Sequence, residues 1–235
     1  MELNHSRHDP VQGPRTPVII DQPSATDLTS AQRVLRNTYA LLALTLLFSG
    51  AVAAVSVAFA LPAPGLLLTL VGYFGLLFAV HRWQNSPAAL PAVFALTGFM
   101  GYTLGPLLSH TLALPSGGAV VALALASTGV AFLGLSAWVL ATRRDFSFLG
   151  GLLFAGMLVT LVMALVGMLM PVPGLAMVVA ILLALLSCGL ILHDTSRIVQ
   201  GGETNYVLAT VGLYLSLYNL FSSLLSLGGL AVSDD

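Results

Sequence analysis

Apolar and polar positions divide the chain into a polar N-terminal stretch and seven long apolar runs. Residues 1–28 place Pro10, Pro14, Pro17 and Pro23 among polar groups, with a single short apolar patch at Val18 to Ile20. Such a composition buries too little surface to offset chain entropy, so this stretch reads as a disordered tail. It lacks the early h-region and small-residue cleavage site of a signal peptide. Order is expected to begin at Thr29, whose hydroxyl caps a helix while Gln32 completes a capping box. The apolar runs are Tyr39 to Leu61, Pro64 to Val80, Ala88 to Leu108, Ala119 to Leu140, Phe146 to Met170, Gly174 to Leu192 and Tyr206 to Leu227. Each suits a membrane-spanning helix, and about 28 residues per span and connection predicts the same number of spans for the length beyond the tail. The expected architecture is therefore all-α: a cytoplasmic tail over 1–28 and a seven-helix transmembrane domain over 29–235.

Composition excludes a soluble alternative. Charged residues make up 7% of the 235 and apolar residues 57%, whereas a water-facing globule carries about 25% charged residues. Net charge is −1 with no basic run, which argues against nucleic acid as a partner. The single cysteine, Cys188, lies in an apolar run and reads as a packing residue, leaving no disulfide and no cysteine-based metal framework.

All 8 basic residues are arginines, and their placement orients the bundle. Cytoplasmic loops retain Arg and Lys. With the N-terminus inside, Arg7, Arg15, Arg33, Arg36, Arg82, Arg143, Arg144 and Arg197 are all cytoplasmic. The outer connections, Pro62 to Ala63, Ser109 to Gly118 and Pro171 to Pro173, carry none, and Asp234 and Asp235 end the chain outside.

Within the bilayer, small residues allow close helix contact. Gly98, Gly101 and Gly105 share a face of span three, and Ala122, Ala126, Ser127, Gly129 and Gly134 mark span four as a second tight contact. In span seven, Gly212, Ser216, Asn219, Ser223 and Ser226 form a polar stripe with Tyr214 on the opposite side. A stripe of that kind avoids lipid, so span seven is expected at the centre, facing either interhelical hydrogen bonds or a wet cavity.

Few groups are left to carry chemistry. Arg143 and Arg144 complement the dipole at the end of span four, and Asp145 is placed to cap span five; with Arg33, Arg36 and Arg82 they read as topology anchors. Asp194 closes span six, where a carboxylate opposes the helix dipole. Either Arg197 offsets it in a surface pair, or it is a buried proton or cation sensor at the cytoplasmic mouth, alongside Ser216 and Asn219. Adjacent His193 points to a different face. In the Gly201-Gly202-Glu203-Thr204-Asn205-Tyr206 turn, glycines end span six and Thr204 or Asn205 caps span seven, placing Glu203 beside Arg197 at the mouth. There is no P-loop, no HExxH and no nucleophile matched to a membrane base, so neither catalysis nor a cofactor is expected.

Four stretches carry a resemblance: Arg33-Val34-Leu35-Arg36-Asn37-Thr38-Tyr39; Leu61-Pro62-Ala63-Pro64-Gly65; Thr142-Arg143-Arg144-Asp145-Phe146-Ser147-Phe148-Leu149-Gly150-Gly151; and Gly201 to Tyr206 continuing through Leu213-Tyr214-Leu215-Ser216-Leu217-Tyr218-Asn219-Leu220-Phe221. Together they resemble the bacterial YccA-type branch of the Bax inhibitor-one (transmembrane Bax-inhibitor-motif) family over about residues 30 to 230. The resemblance implies an inner-membrane protein that binds and modulates the membrane AAA protease FtsH, with the tail as a handle the protease can seize. It also implies an alternative, a pH-sensitive calcium or cation leak governed by two membrane aspartates. Asp194 matches the first aspartate, but Ser216 stands where the family has the second, and a serine can neither share a proton with Asp194 nor supply a paired charge for calcium.

Overall fold

The computed structural model describes residues 25–170 and 172–233. It contains seven helices: α1 Ala25–Ala58, α2 Leu66–Trp83, α3 Ala89–Leu112, α4 Gly117–Thr142, α5 Leu149–Leu169, α6 Leu175–Val199 and α7 Tyr206–Ser233. All seven are long and apolar enough to cross a membrane. The expected tail, Pro171 and the terminal aspartates lie outside the described residues, apart from the tail's last four positions. Those four are helical, because α1 starts at Ala25 rather than at a Thr29 cap.

The connections follow from local chemistry. Ala60 takes φ 47° at the end of α1. The Leu61 amide donates to the Ser56 carbonyl and the Ala60 amide to that of Val57, the paired bonds that close a helix in a left-handed turn, with Pro62 next to prevent continuation. The same closure ends α6, where Gly201 has φ 75° and the Gly202 amide donates to the Arg197 carbonyl at 2.9 Å. There glycine removes the cost a Cβ would impose.

Helix α7 is packed against α1, α3, α4 and α6, while α2 leans chiefly on α3 and α5 on α6. The central place expected for span seven is therefore the one it occupies. Leu213, Tyr214, Ser216, Leu217, Leu220, Ser223 and Leu225 of α7 are buried. By contrast only Val80 of α2, and only Leu153 and Thr160 of α5, are buried, so these two outer helices present apolar side chains to lipid.

The α1–α3 contact is set by glycine. A Cβ at Gly98 would meet the Phe48 ring at 2.8 Å, one at Gly101 would fall on the Ser49 carbonyl, and one at Gly105 on the Ser56 side chain. The small residues of α4 behave differently. Gly129 and Gly134 have nothing within 4 Å of a Cβ, and Ala122 and Ala126 are exposed. Helix α4 packs instead through Ala124, Thr128, Ser136 and Val139. Small size permits close approach but does not say which face makes it.

Candidate functional site

The connections that follow α2, α4 and α6 gather at one end of the bundle, together with Arg82, Arg143, Arg144 and Arg197. Ser196 ties the α4–α5 loop down: its hydroxyl donates to the Arg144 carbonyl at 3.1 Å and accepts from the Phe146 amide at 3.0 Å. Asn205 ties the α6–α7 turn to the α2–α3 loop, its Nδ2 lying 3.2 Å from the Gln84 carbonyl and 3.1 Å from Asn85 Oδ1. Its Oδ1 accepts from the Val207 amide at 2.9 Å. Asn205, not Thr204, is thus the cap of α7, and one side chain joins two loops.

Between these anchors lies a cavity of 400 Å³ whose wall includes Leu77 and His81 of α2, Asp194 and Arg197 of α6, Glu203, and Gly212 of α7. Asp194, Arg197 and Glu203 therefore meet in one place. In helices α2 to α7, Asp194 is the sole acid. It fits because α7 offers a glycine opposite: a Cβ at Gly212 would stand 3.1 Å from Asp194 Oδ2. No larger residue could sit there without moving the carboxylate or the helix.

The partner of Asp194 differs from the sequence expectation. Arg197 pairs with Glu203, Nη2 to Oε2 at 3.4 Å, because the turn closing α6 folds Glu203 back and its amide donates to the Arg197 carbonyl at 3.1 Å. With the arginine side chain 43% exposed, this is a surface pair of small energetic weight. Asp194 is met instead by its neighbour: His193 Nδ1 is 3.2 Å from Asp194 Oδ1, at side-chain exposures of 16% and 19%. The imidazole thus bends toward the carboxylate instead of pointing to a separate face. Its far edge packs on the start of α5, where Nε2 would be 3.2 Å from a Cβ at Gly150.

Asp145 is not the cap of α5. That helix starts at Leu149 with no side-chain cap, and Asp145 Oδ1 accepts from the Ser147 amide at 2.8 Å, closing a turn two residues earlier. The bonds from Ser147 hold the Asp145 carboxyl below its ordinary range. Exposed Arg33, Arg36, Arg82, Arg143 and Arg144 make no ion pair among the described residues.

Neither Ser216 nor Asn219 lines the Asp194 cavity. Ser216 is 1% exposed and donates to the Gly212 carbonyl at 3.0 Å. Ser222 and Ser223 donate to the Asn219 carbonyl, and Ser226 to that of Ser222. The stripe therefore satisfies its hydroxyls within its own helix, as mid-helix serines can, and not across helices. Its far end, Ser223 and Ser226, borders together with Ser222 a largely apolar cavity of 580 Å³ that is also lined by α5 and α6.

The interhelical hydrogen bonds of Tyr214 and Tyr218 lie on the face opposite the serine stripe, where the sequence places Tyr214. Tyr214 Oη shares a 2.6 Å hydrogen bond with Ser49 Oγ of α1 and donates to the Thr97 carbonyl of α3 at 3.2 Å. Tyr218 Oη is 2.9 Å from Thr103 Oγ1. Two tyrosines four residues apart in a membrane span, each with a hydroxyl needing a partner, are the available signal. Among the described residues no three His, Cys, Asp or Glu side chains gather as metal ligands.

Comparison with known proteins finds relatives over nearly all of the helical part of the chain. Residues 31–233 match the family described as "Inhibitor of apoptosis-promoting Bax1". An uncharacterized protein of Pseudomonas aeruginosa is 51% identical over 202 residues, covering 86% of this chain and 91% of that one. The "Modulator of FtsH protease YccA" of Escherichia coli is 49% identical over 209 residues, 89% of this chain and 95% of that protein. An "Uncharacterized membrane protein" of Vibrio cholerae is 39% identical over 221 residues, 94% and 99% of the two chains. With seven membrane-length helices and a match running from α1 to the end of α7, the chain belongs to the Bax inhibitor-one family.

Proposed function

We propose that this protein is an inner-membrane regulatory partner of the protease FtsH, binding it and modulating its activity rather than catalysing a reaction. The observation that carries the reading is the 49% identity to the Escherichia coli modulator over 95% of that protein's length. The arginine distribution supports an N-in, C-out orientation, which turns the Asp194 mouth and the loops clamped by Ser196 and Asn205 toward the cytoplasm. Affinity purification of the full chain from native membranes, followed by mass spectrometry, tests the reading. FtsH is expected among the recovered proteins, and overproduction of the chain is expected to lengthen the half-life of an FtsH membrane substrate. Absence of FtsH with an intact, membrane-inserted bait refutes it.

A second reading, a pH-sensitive calcium or cation leak, draws on the Asp194 carboxylate facing a 400 Å³ cavity. Against it stands Ser216, whose hydroxyl is committed to the Gly212 carbonyl where a second acid would be needed. Calcium flux into dye-loaded liposomes that depends on pH, and that Asp194→Asn abolishes, would favour the leak.

A further inference from the structure

At the end of the bundle opposite the Asp194 mouth, the 580 Å³ cavity is bounded by Leu107 and His110 of α3, by α5 from Met163 to Met168, by α6 and by the last turns of α7. Met168, Val172 and Ala176 of its wall are exposed, so it opens on the outside of the bundle. The four helices around it are all long and apolar enough to cross a membrane. At that depth the surrounding medium is lipid hydrocarbon, not water.

The cavity falls within the range of about 300–1,000 Å³ usual for small-molecule sites, and its chemistry is apolar despite three serines. The Ser222 and Ser223 hydroxyls donate to the Asn219 carbonyl, and that of Ser226 donates to the Ser222 carbonyl. No serine proton is left for an occupant to satisfy. Water would need about two to four polar partners, whereas an alkyl chain enters without breaking a hydrogen bond. Met163 and Met168 give the α5 side an adaptable wall. The one titratable side chain lining the cavity, His110, is exposed at the end of α3.

Depth selects among apolar occupants. The lining runs from Leu175 to Leu183 on α6 and from Ser222 to Leu230 on α7, about 12 Å in each case at 1.5 Å per residue. That is close to one leaflet, half of a hydrocarbon core about 30 Å thick. Nearer the bilayer centre α5 and α6 close on each other, with Leu186 against Gly156 and Leu153 against Gly189. A spanning helix of another protein needs a groove about 20 residues long and meets that closure halfway. We infer that the cavity is a binding site for one acyl chain of a phospholipid from the leaflet at the α3–α4 turn, with the head group at the His110 rim.

To test this, the full chain is purified from native membranes in mild detergent and weighed intact by native mass spectrometry. One phospholipid per chain is expected to remain bound. Ala176→Phe and Ala164→Phe each add a ring to the wall; expelling about two methylenes lowers the lipid-bound fraction about tenfold. Val71→Phe, on the exposed face of α2, leaves that fraction unchanged, and size-exclusion profiles check the fold. The unmodified chain is also reconstituted in phospholipid vesicles carrying a diazirine-labelled phospholipid and irradiated. A diazirine at the chain end is expected to label residues 180–183 and 222–223, and one beside the head group residues 107–110 and 226–230. The site is refuted if no phospholipid is retained, if both ring variants retain it as the unmodified chain does, or if the two probes label the same residues. A retained mass that is not a phospholipid overturns it equally.

Discussion

Removing the Tyr214 hydroxyl tests whether polar contacts or shape alone hold α7 in place. Tyr214 is 1% exposed and Ser49 4% exposed, and their oxygens are 2.6 Å apart, while the Thr97 carbonyl accepts from the same phenol at 3.2 Å. Tyr214→Phe keeps the ring and deletes both bonds. Interhelical hydrogen bonds in membranes average about 0.6 kcal/mol and reach about 1.7, so two of them predict a loss of roughly 1–2 kcal/mol. The upper part of the range requires Ser49 to be stranded. The lower part holds if Ser49 rotates to a carbonyl of its own helix, as Ser216 and Ser223 do. Ser49→Ala should cost about 0.6–1.7 kcal/mol by the same measure. Unfolding the purified variants in detergent micelles with increasing sodium dodecyl sulfate, followed by circular dichroism, gives each stability. The double-mutant cycle isolates the shared bond, with an expected coupling of about 0.6–1.7 kcal/mol. Additivity within about 0.3 kcal/mol would falsify the claim that these two hydroxyls bond to each other.

Three further outcomes follow from the packing and the loops. Gly101→Leu drives a side chain into the Ser49 carbonyl of α1 and should destabilise by about 1–3 kcal/mol or more. Gly134→Ala, with nothing within 4 Å, should be neutral or stabilising by up to about 1 kcal/mol; equal melting temperatures for the two variants would contradict the α1–α3 contact. Asn205→Ala removes the α7 cap and the clamp on Gln84 and Asn85; a cost of about 1–2 kcal/mol is expected, with faster hydrogen exchange over residues 84–88, and unchanged exchange there would rule out the clamp. Asp145 is held below its ordinary range by Ser147, so its contribution is complete above about pH 4 and is lost as pH falls through the lowered folded value. Asp145→Asn should therefore flatten the acid limb of the stability profile, and an unaltered limb would show that the Ser147 bonds do not stabilise the loop.

Much of the site was legible, unevenly. Asp194 could be singled out because a carboxylate near the end of an apolar helix is conspicuous, and Gly201 because a tight turn needs a left-handed residue. Its partner was not legible: Arg197 is one turn from Asp194 along the helix, yet the closing turn brings Glu203 to it first. The serines of α7 misled in the opposite sense. Periodicity placed them on one face, but their hydroxyls return to the backbone of their own helix, leaving the interhelical bonds to Tyr214 and Tyr218.

By itself, the sequence determined the number of spans and their approximate limits, and its arginines carry the expectation of an N-in, C-out orientation. The membrane imposes those through quantities that add along the chain: apolar length, the need of every backbone amide for an internal partner, and the bias of arginine toward one side. Tertiary structure alone decided which neighbour each polar group meets. Gly212 across from Asp194 joins two consecutive helices, while Ser49 across from Tyr214 and Gln84 across from Asn205 join segments 165 and 121 residues apart. They depend on the rotation and depth at which helices pack, as where Gly98, Gly101 and Gly105 admit α1 against α3 and Gly212 admits Asp194 against α7, and no pattern local to one span encodes that fit.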